Sequence, residues 1–170
     1  MTTVKTAPTD AQKVMVFPAQ AKPLDGKQIY FLFSLNQMAD ILTSKTVRKV
    51  PFSPSYVKGI TEWRGHIVPV VVLEKLLGLE PSGVEEENRL AVVCSSRQQD
   101  SNASPLGIIR ISRSLKMLSL PMQYTVADHS LPCDRKYIRG IYDWEEGIII
   151  VLHMENILSG KIETGALHVQ

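Results

Sequence analysis

Four histidines and two cysteines are the residues of this 170-residue chain best suited to ligate a metal or attack a substrate. Their spacing supports neither chemistry. His66, His129, His153 and His168 form no HExxH or other ligand motif, and each reads as a strand or loop residue. Cys94 ends an apolar run as a small core residue, Cys133 sits in a polar, turn-like stretch, and neither falls in a CxxC or Cys/His pattern. No GxxxxGK[ST] or GxGxxG phosphate loop and no GxSxG elbow is present. The serines lie in loops with no identifiable base. These residues predict a protein with no catalytic turnover, no cofactor and no metal.

Charge offers a different chemistry. Between Lys45 and Arg64, five cations (Lys45, Arg48, Lys49, Lys58, Arg64) stand against Glu62 alone. A solvated face explains this; so does a patch in which Arg48, Lys49 and Arg64 meet an acidic helix on a partner, where complementary charge sets association rate and register. Arg110, inside the apolar run LGIIRI, is either the outward residue of an alternating strand or half of a buried pair. Nucleic acid is a poor fit, because a net charge of +2 and 6% aromatic residues supply neither a phosphate-binding field nor stacking platforms.

The elements that must position these groups are strands. With 44% hydrophobic and 21% charged residues, the chain reads as one compact globular unit. Residues 1–27 hold three prolines (Pro8, Pro18, Pro23) and read as a flexible N-terminal tail, save a Val14–Phe17 cluster able to pair with a sheet edge. Residues 28–160 form the folded domain and 161–170 a C-terminal tail. Short apolar runs at Ile29–Leu35, Ile67–Leu73, Leu90–Cys94, Leu106–Ile111 and Ile148–Leu152 predict buried strands. The helices that would cover a parallel sheet are missing, so an all-β barrel or sandwich is expected. Glu80–Arg89 and Ser95–Pro105 read as surface loops. Helical turns are expected at Leu73–Leu77, capped by Gly78, and at Met154–Leu158, capped by Gly160. Met117 and Met122 read as core filling. With no signal-peptide core and no run of about 18 apolar residues, the expectation is a cytoplasmic protein without direct membrane insertion.

An internal repeat organises the rest. Tyr56–Gly78 aligns without a gap on Tyr137–Ser159, an offset of 81, with Tyr56/Tyr137, Gly59/Gly140, Ile60/Ile141, Trp63/Trp144, Glu74/Glu155 and Leu77/Leu158 identical. One such unit cannot bury its own apolar face. The duplication therefore predicts two small barrels, each completed by the remaining strands and packed on the other around a shared seam. The copies differ at one turn: Arg64–Gly65 in the first, Glu145–Glu146 in the second. Both also read as ordinary hairpin turns with solvated charges.

The stretch GITEWRGHIVPV from Gly59 resembles the Gly-x-x-x-x-Arg-Gly-x-x-Val-Pro-Val signature of CheW-like domains, adaptor modules of chemotaxis-type signalling. LEKLLGL after it, Phe33–Leu35 and Val47–Val50 before it, Ile111–Pro121 and Tyr137–Leu158 extend the similarity over about Ile29–Gly160. The resemblance implies two packed five-stranded β-barrels and a non-enzymatic scaffold. Such a scaffold joins a methyl-accepting chemoreceptor or related coiled-coil receptor to a CheA-type histidine kinase, in the cytoplasm and recruited to membrane receptor arrays. Carried over, Arg64, Gly65 and the neighbouring Val47 and Lys49 are the receptor-side candidates, and Gly59 and Ile60 lie near kinase-facing strands; Arg48 joins the partner-binding candidates through its charge. Lys49 stands where the family usually has a glutamate paired with the turn arginine. Two cations about 4 Å apart repel by about 4 kcal/mol at an effective dielectric near 20, so they should splay or recruit an outside acid. Val72 and His153 replace helix-capping aspartates, each forfeiting about 1 kcal/mol, and Ser112 replaces another acid. These departures suggest altered, paralogous partners, such as those of arrays controlling pili or light-directed movement. The competing reading is a double-barrel module that binds a nucleic acid or small ligand in its inter-barrel cleft.

Overall fold

All five apolar runs become strands, because each is rich in β-branched and aromatic residues and bounded by turns. The structure is a computed structural model that describes residues 13–84, 88–95, 106–119 and 125–158. Met122, Gly160, His168, residues 85–87 and 96–105 of the two polar loops, and the 161–170 tail lie outside the described residues. In chain order the strands are β1 (Lys13–Pro18), β2 (Ile29–Ser34), β3 (Met38–Leu42), β4 (Val57–Trp63), β5 (His66–Val71), β6 (Asn88–Cys94), β7 (Leu106–Ser112), β8 (Lys116–Ser119), β9 (Thr125–Val126), β10 (Ile138–Trp144) and β11 (Gly147–Leu152). Helical turns α1 (Leu73–Leu76) and α2 (Met154–Leu158) follow β5 and β11. Gly78 takes the left-handed conformation (φ +64) that closes α1.

The tail reading needs correction. Residues 13–18 form β1, which lies between β2 and β8 rather than at an edge. Val14 to Phe17 are buried, as are Ala19 and Ala21 beyond them. Prolines at 18 and 23 bound the strand instead of breaking it, since a proline is tolerated at a strand terminus.

Two sheets result: six strands in the order β8-β1-β2-β11-β10-β9, and five in the order β3-β6-β7-β5-β4. The expected pair of five-stranded barrels is seen as one six-stranded and one five-stranded sheet, with no closed barrel shown among the described residues. Arg48, six residues past the end of β3, does add a bridge to Ile60 on the outer edge of β4.

The duplication is written into the hydrogen bonding. β4, β5 and α1 recur as β10, β11 and α2 at the offset of 81. Even the register break between Val57 and Gly59 has its counterpart between Ile138 and Gly140. β5 runs parallel to β7, and β11 parallel to β2. The halves exchange strands. β1 and β2 precede the first copy but pair with the second, while β6 and β7 precede the second copy and join the first.

Where the sheets face one another, Phe17, Phe31, Phe33 and Ile150 meet Ala91, Val93, Ile109 and Ile111, with Leu73 and Leu77 at the side. Burying each of the larger side chains contributes about 1.5–3 kcal/mol. A second cluster, Trp63, Val68, Val70, Leu90, Val92 and Ile108, fills the other face of the five-stranded sheet. Val72 supplies no side-chain cap to α1. It is buried at 3% exposure, so apolar burial offsets the missing cap.

Candidate functional site: the Trp63–Arg64–Gly65 turn and the edge of β4

Two residues join β4 to β5, with Trp63 paired to His66. Both loop residues have positive φ, +49 at Arg64 and +79 at Gly65, the signature of a type I′ hairpin. Glycine suits that conformation; arginine does not, and a left-handed non-glycine residue costs about 1–2 kcal/mol. An exposed cation held in a strained conformation at a hairpin tip is a candidate for function.

The surroundings hold that cation in place. The Arg64 guanidinium lies 4.6 Å from the centre of the Trp63 ring, a contact worth about 0.5–1 kcal/mol at an exposed site. The Trp63 indole N–H donates to Asp40 Oδ2 at 3.0 Å. That hydrogen bond holds the Asp40 carboxyl below the usual carboxylate range, helped by the Ile41 N–H and the charges of Arg64 and Lys45. Asp40 is therefore the acid beside Arg64.

This revises the expectation at Lys49. Arg48 exchanges two 2.8 Å backbone hydrogen bonds with Ile60, which sets Lys49 about level with Gly59. The turn is five residues further along β4, roughly 16 Å away at 3.3 Å per residue. No pair of opposed cations forms, and Lys49 ceases to be a reason for altered partners. Sequence reasoning missed Asp40; its signal was an acid inside the short, otherwise apolar stretch MADIL.

The remaining candidates divide. Val47, Arg48, Gly59 and Ile60 are brought together, for a Cβ at Gly59 (φ +154) would overlap the Arg48 carbonyl oxygen and press on Val47. Gly59 is buried, so it reaches a partner only through the residues it positions. Val47 packs on the second core cluster. Arg48, Lys49, Arg64 and Gly65 are exposed.

The other copy inverts the charges. Glu145 and Glu146 fill its turn, and Lys116 on β8 donates to Glu146, which raises the Lys116 pKa. β8 occupies the place in the six-stranded sheet that β3 holds in the five-stranded one. Acid on the strand with cation at the turn in one half thus becomes cation on the strand with acid at the turn in the other. Trp144 occupies the same strand end as Trp63 and meets Tyr30 edge to face at 5.4 Å.

Elsewhere, Arg110 resolves as half of a largely buried pair, donating at 3.4 Å to Glu74 Oε2, whose other oxygen accepts the Gln20 N–H at 2.9 Å. Cys94 and Cys133 are free thiols whose pKa values burial raises, which makes them poor nucleophiles. His153 Nδ1 is buried without a hydrogen-bond partner. Among the described residues no group of three or more His, Cys, Asp or Glu is placed to hold a metal, and no helix is long and apolar enough to cross a membrane. A cavity of about 320 Å³ lies along β10, lined by groups of both signs, including Asp128, Arg135 and Arg139.

With this geometry in hand, comparison with known proteins is direct. The CheW-like domain family matches residues 23–161. This chain belongs to the CheW-like domain family. Over 139 residues it is 25% identical to the chemotaxis protein CheW of Treponema pallidum (strain Nichols), covering 80% of this chain and 79% of that protein. Its fold is similar to the crystal structure of the scaffolding protein TtCheW from Thermoanaerobacter tengcongensis, with a TM-score of 0.62 at 17% identity, covering 89% and 90% of the two chains.

Proposed function

We propose that this chain is a non-enzymatic adaptor of a chemotaxis-type pathway, holding a coiled-coil chemoreceptor and a CheA-type histidine kinase in fixed relative orientation. The observation that carries this reading is the Trp63–Arg64–Gly65 turn, a strained cation stacked on a Trp63 ring that Asp40 holds by its indole N–H, in a chain that matches the CheW-like family across residues 23–161. The names of its relatives, a chemotaxis protein and a scaffolding protein, support it. On this reading Arg48, Lys49, Arg64 and Gly65 face the receptor, with Val47 beneath them. Ile60, held by Gly59, lies toward the kinase. The adaptor works in the cytoplasm, at membrane receptor arrays, through rigid sheets and exposed strand edges.

The test is a pull-down of a receptor signalling-tip fragment and of a kinase regulatory domain by the wild type and by Arg64→Glu. Charge reversal should weaken receptor capture at least tenfold, with an effect that shrinks as salt rises. Capture that is unchanged removes the site; capture of neither partner by the wild type removes the adaptor reading. A ligand-binding module in the inter-sheet cleft is the weaker alternative, because the described cavity runs along β10 rather than between the sheets.

A further inference from the structure

Phe52 is an aromatic residue with nothing around it. Its relative exposure is 106%, and its φ is +60. The turn it belongs to is well made: Ser53 closes it onto the Val50 carbonyl, its N–H at 3.4 Å and its Oγ at 2.8 Å. Proline at the first corner and positive φ at the second are the marks of a type II turn, whose second corner belongs to glycine or asparagine. A bulky residue with positive φ is an outlier. The fold gains nothing from the ring, which is left fully hydrated, and bears the strain of presenting it.

The duplication provides the comparison. At the offset of 81, Val50, Pro51 and Phe52 correspond to Leu131, Pro132 and Cys133. In that copy Leu131 and Cys133 pack on the main core, and Pro132 lies against Gly78 at the end of α1. One copy folds its loop down onto the protein; the other holds it in solvent. Val50, in the same turn, is 37% exposed, and Arg48, Lys49 and Lys58, within six residues of Phe52 along the chain, are exposed as well.

From these observations we infer that Phe52 is a docking anchor: its ring enters an apolar socket on an acidic, α-helical partner, and the surrounding cations pair with the acids at the socket's rim. Phe52 lies before the start of β4 and Arg64 just past its end. β4, which lies between them, is by itself roughly 20 Å long, a length that about 14 residues of helix span. A helical rod laid along this edge reaches both, which favours a helix over a globular patch. The preset turn favours a protein over a lipid surface. A shaped socket rewards a ring fixed in advance, whereas a fluid bilayer accepts one in any orientation. The inference rests on the adaptor reading and names the helical receptor as the partner that takes the ring.

The experiment titrates wild type, Phe52→Asn and Phe52→Leu with a labelled receptor-type helical hairpin, a kinase regulatory domain, and mixed phosphatidylcholine–phosphatidylglycerol vesicles. Asparagine tolerates the left-handed conformation, and the ring has no packing to lose, so Phe52→Asn should melt a few degrees higher than the wild type. It should bind the hairpin roughly 10- to 100-fold more weakly, while Phe52→Leu keeps much of the affinity. Equal hairpin binding by wild type and Phe52→Asn overturns the anchor and leaves the adaptor reading standing. If the substitution instead weakens only kinase or vesicle binding, the assignment to a helical receptor is wrong. Failure of the wild type to bind either protein overturns the adaptor reading and this inference with it.

Discussion

Gly59→Ala is the sharpest probe of how the edge of β4 is built. The added Cβ would occupy the place of the Arg48 carbonyl oxygen, and φ +154 is a conformation that only glycine takes readily. Backbone cannot swing aside as a side-chain tip can, so the segment around Val47 and Arg48 must detach. Detachment forfeits two 2.8 Å hydrogen bonds between Arg48 and Ile60, each worth about 0.5–1.5 kcal/mol net. The backbone strain adds about 1–3 kcal/mol. A total of about 2–6 kcal/mol corresponds to a fall in Tm of roughly 4–24 °C for a chain of this size. Gly140→Ala is the internal control, at the equivalent place in the second copy. There the Cβ would meet the far end of the Tyr142 ring, which can rotate, and φ lies outside the left-handed region; the cost should be about 1 kcal/mol or less. Urea denaturation of both variants, with amide exchange at Arg48 and Ile60 as the local readout, decides the matter. Equal losses in the two variants, or exchange at Arg48 unchanged by Gly59→Ala, would refute the reasoning.

Four other outcomes are expected. Burial lowers the pKa of His129, but hydrogen bonds and charge from Asp143 (3.3 Å) and Asp25 (2.8 Å) more than reverse this, so its pKa is raised in the folded protein. The stabilisation is therefore complete below the unfolded value near 6.5 and is lost as pH rises through the folded one; chemical denaturation from pH 5.5 to 8.5 should show the decline, and His129→Gln should flatten it. Lys27 and His129 hold the Asp143 pKa down, so its contribution is present above about pH 4 and fades as pH falls through the depressed value. Arg110→Met leaves the buried Glu74 carboxylate without its cation; allowing for the partial exposure of the arginine, a loss of about 1–3 kcal/mol is expected by urea titration, with Glu74→Gln, Arg110→Met together costing less than the sum of the single changes. Asp40→Ala should expose the indole N–H of Trp63, shift its fluorescence and weaken receptor capture about as far as Arg64→Glu does; an unchanged emission spectrum would count against the Asp40 brace.

The parts visible in the sequence were those where one signal dominated. Apolar runs mark β6, β7 and β11, whose side chains are buried nearly without interruption, and β2 and β5, where buried positions alternate with more open ones. The repeat was visible because identity persists where the fold needs it, at the strand ends and at the leucines of the helical turns. β1 was obscured by its proline-rich surroundings, although its buried residues are as apolar as any in the chain. β3 was hidden for another reason: only part of it is buried, and Asp40 breaks its pattern. That aspartate also shows why the site was only half legible. Trp63 and Asp40 are 23 residues apart and lie on the two opposite edge strands of the five-stranded sheet, so they meet only because the sheet curls its edges together, which residue spacing does not encode. Lys49 was set opposite Arg64 by blindness to register, and one backbone bridge, Arg48 to Ile60, was enough to part them.

The exchange of strands between the halves also dictates an order of assembly. The five-stranded sheet takes all its strands from a continuous stretch, Met38 to Ser112. β2 has its parallel neighbour more than a hundred residues downstream, in β11. On the ribosome, Phe31 and Phe33 emerge early and stay only partly covered until β11 has been made. The latest-joined seam is thus also the one whose premature exposure most invites chaperones or self-association, and slow synthesis of the final third prolongs that hazard.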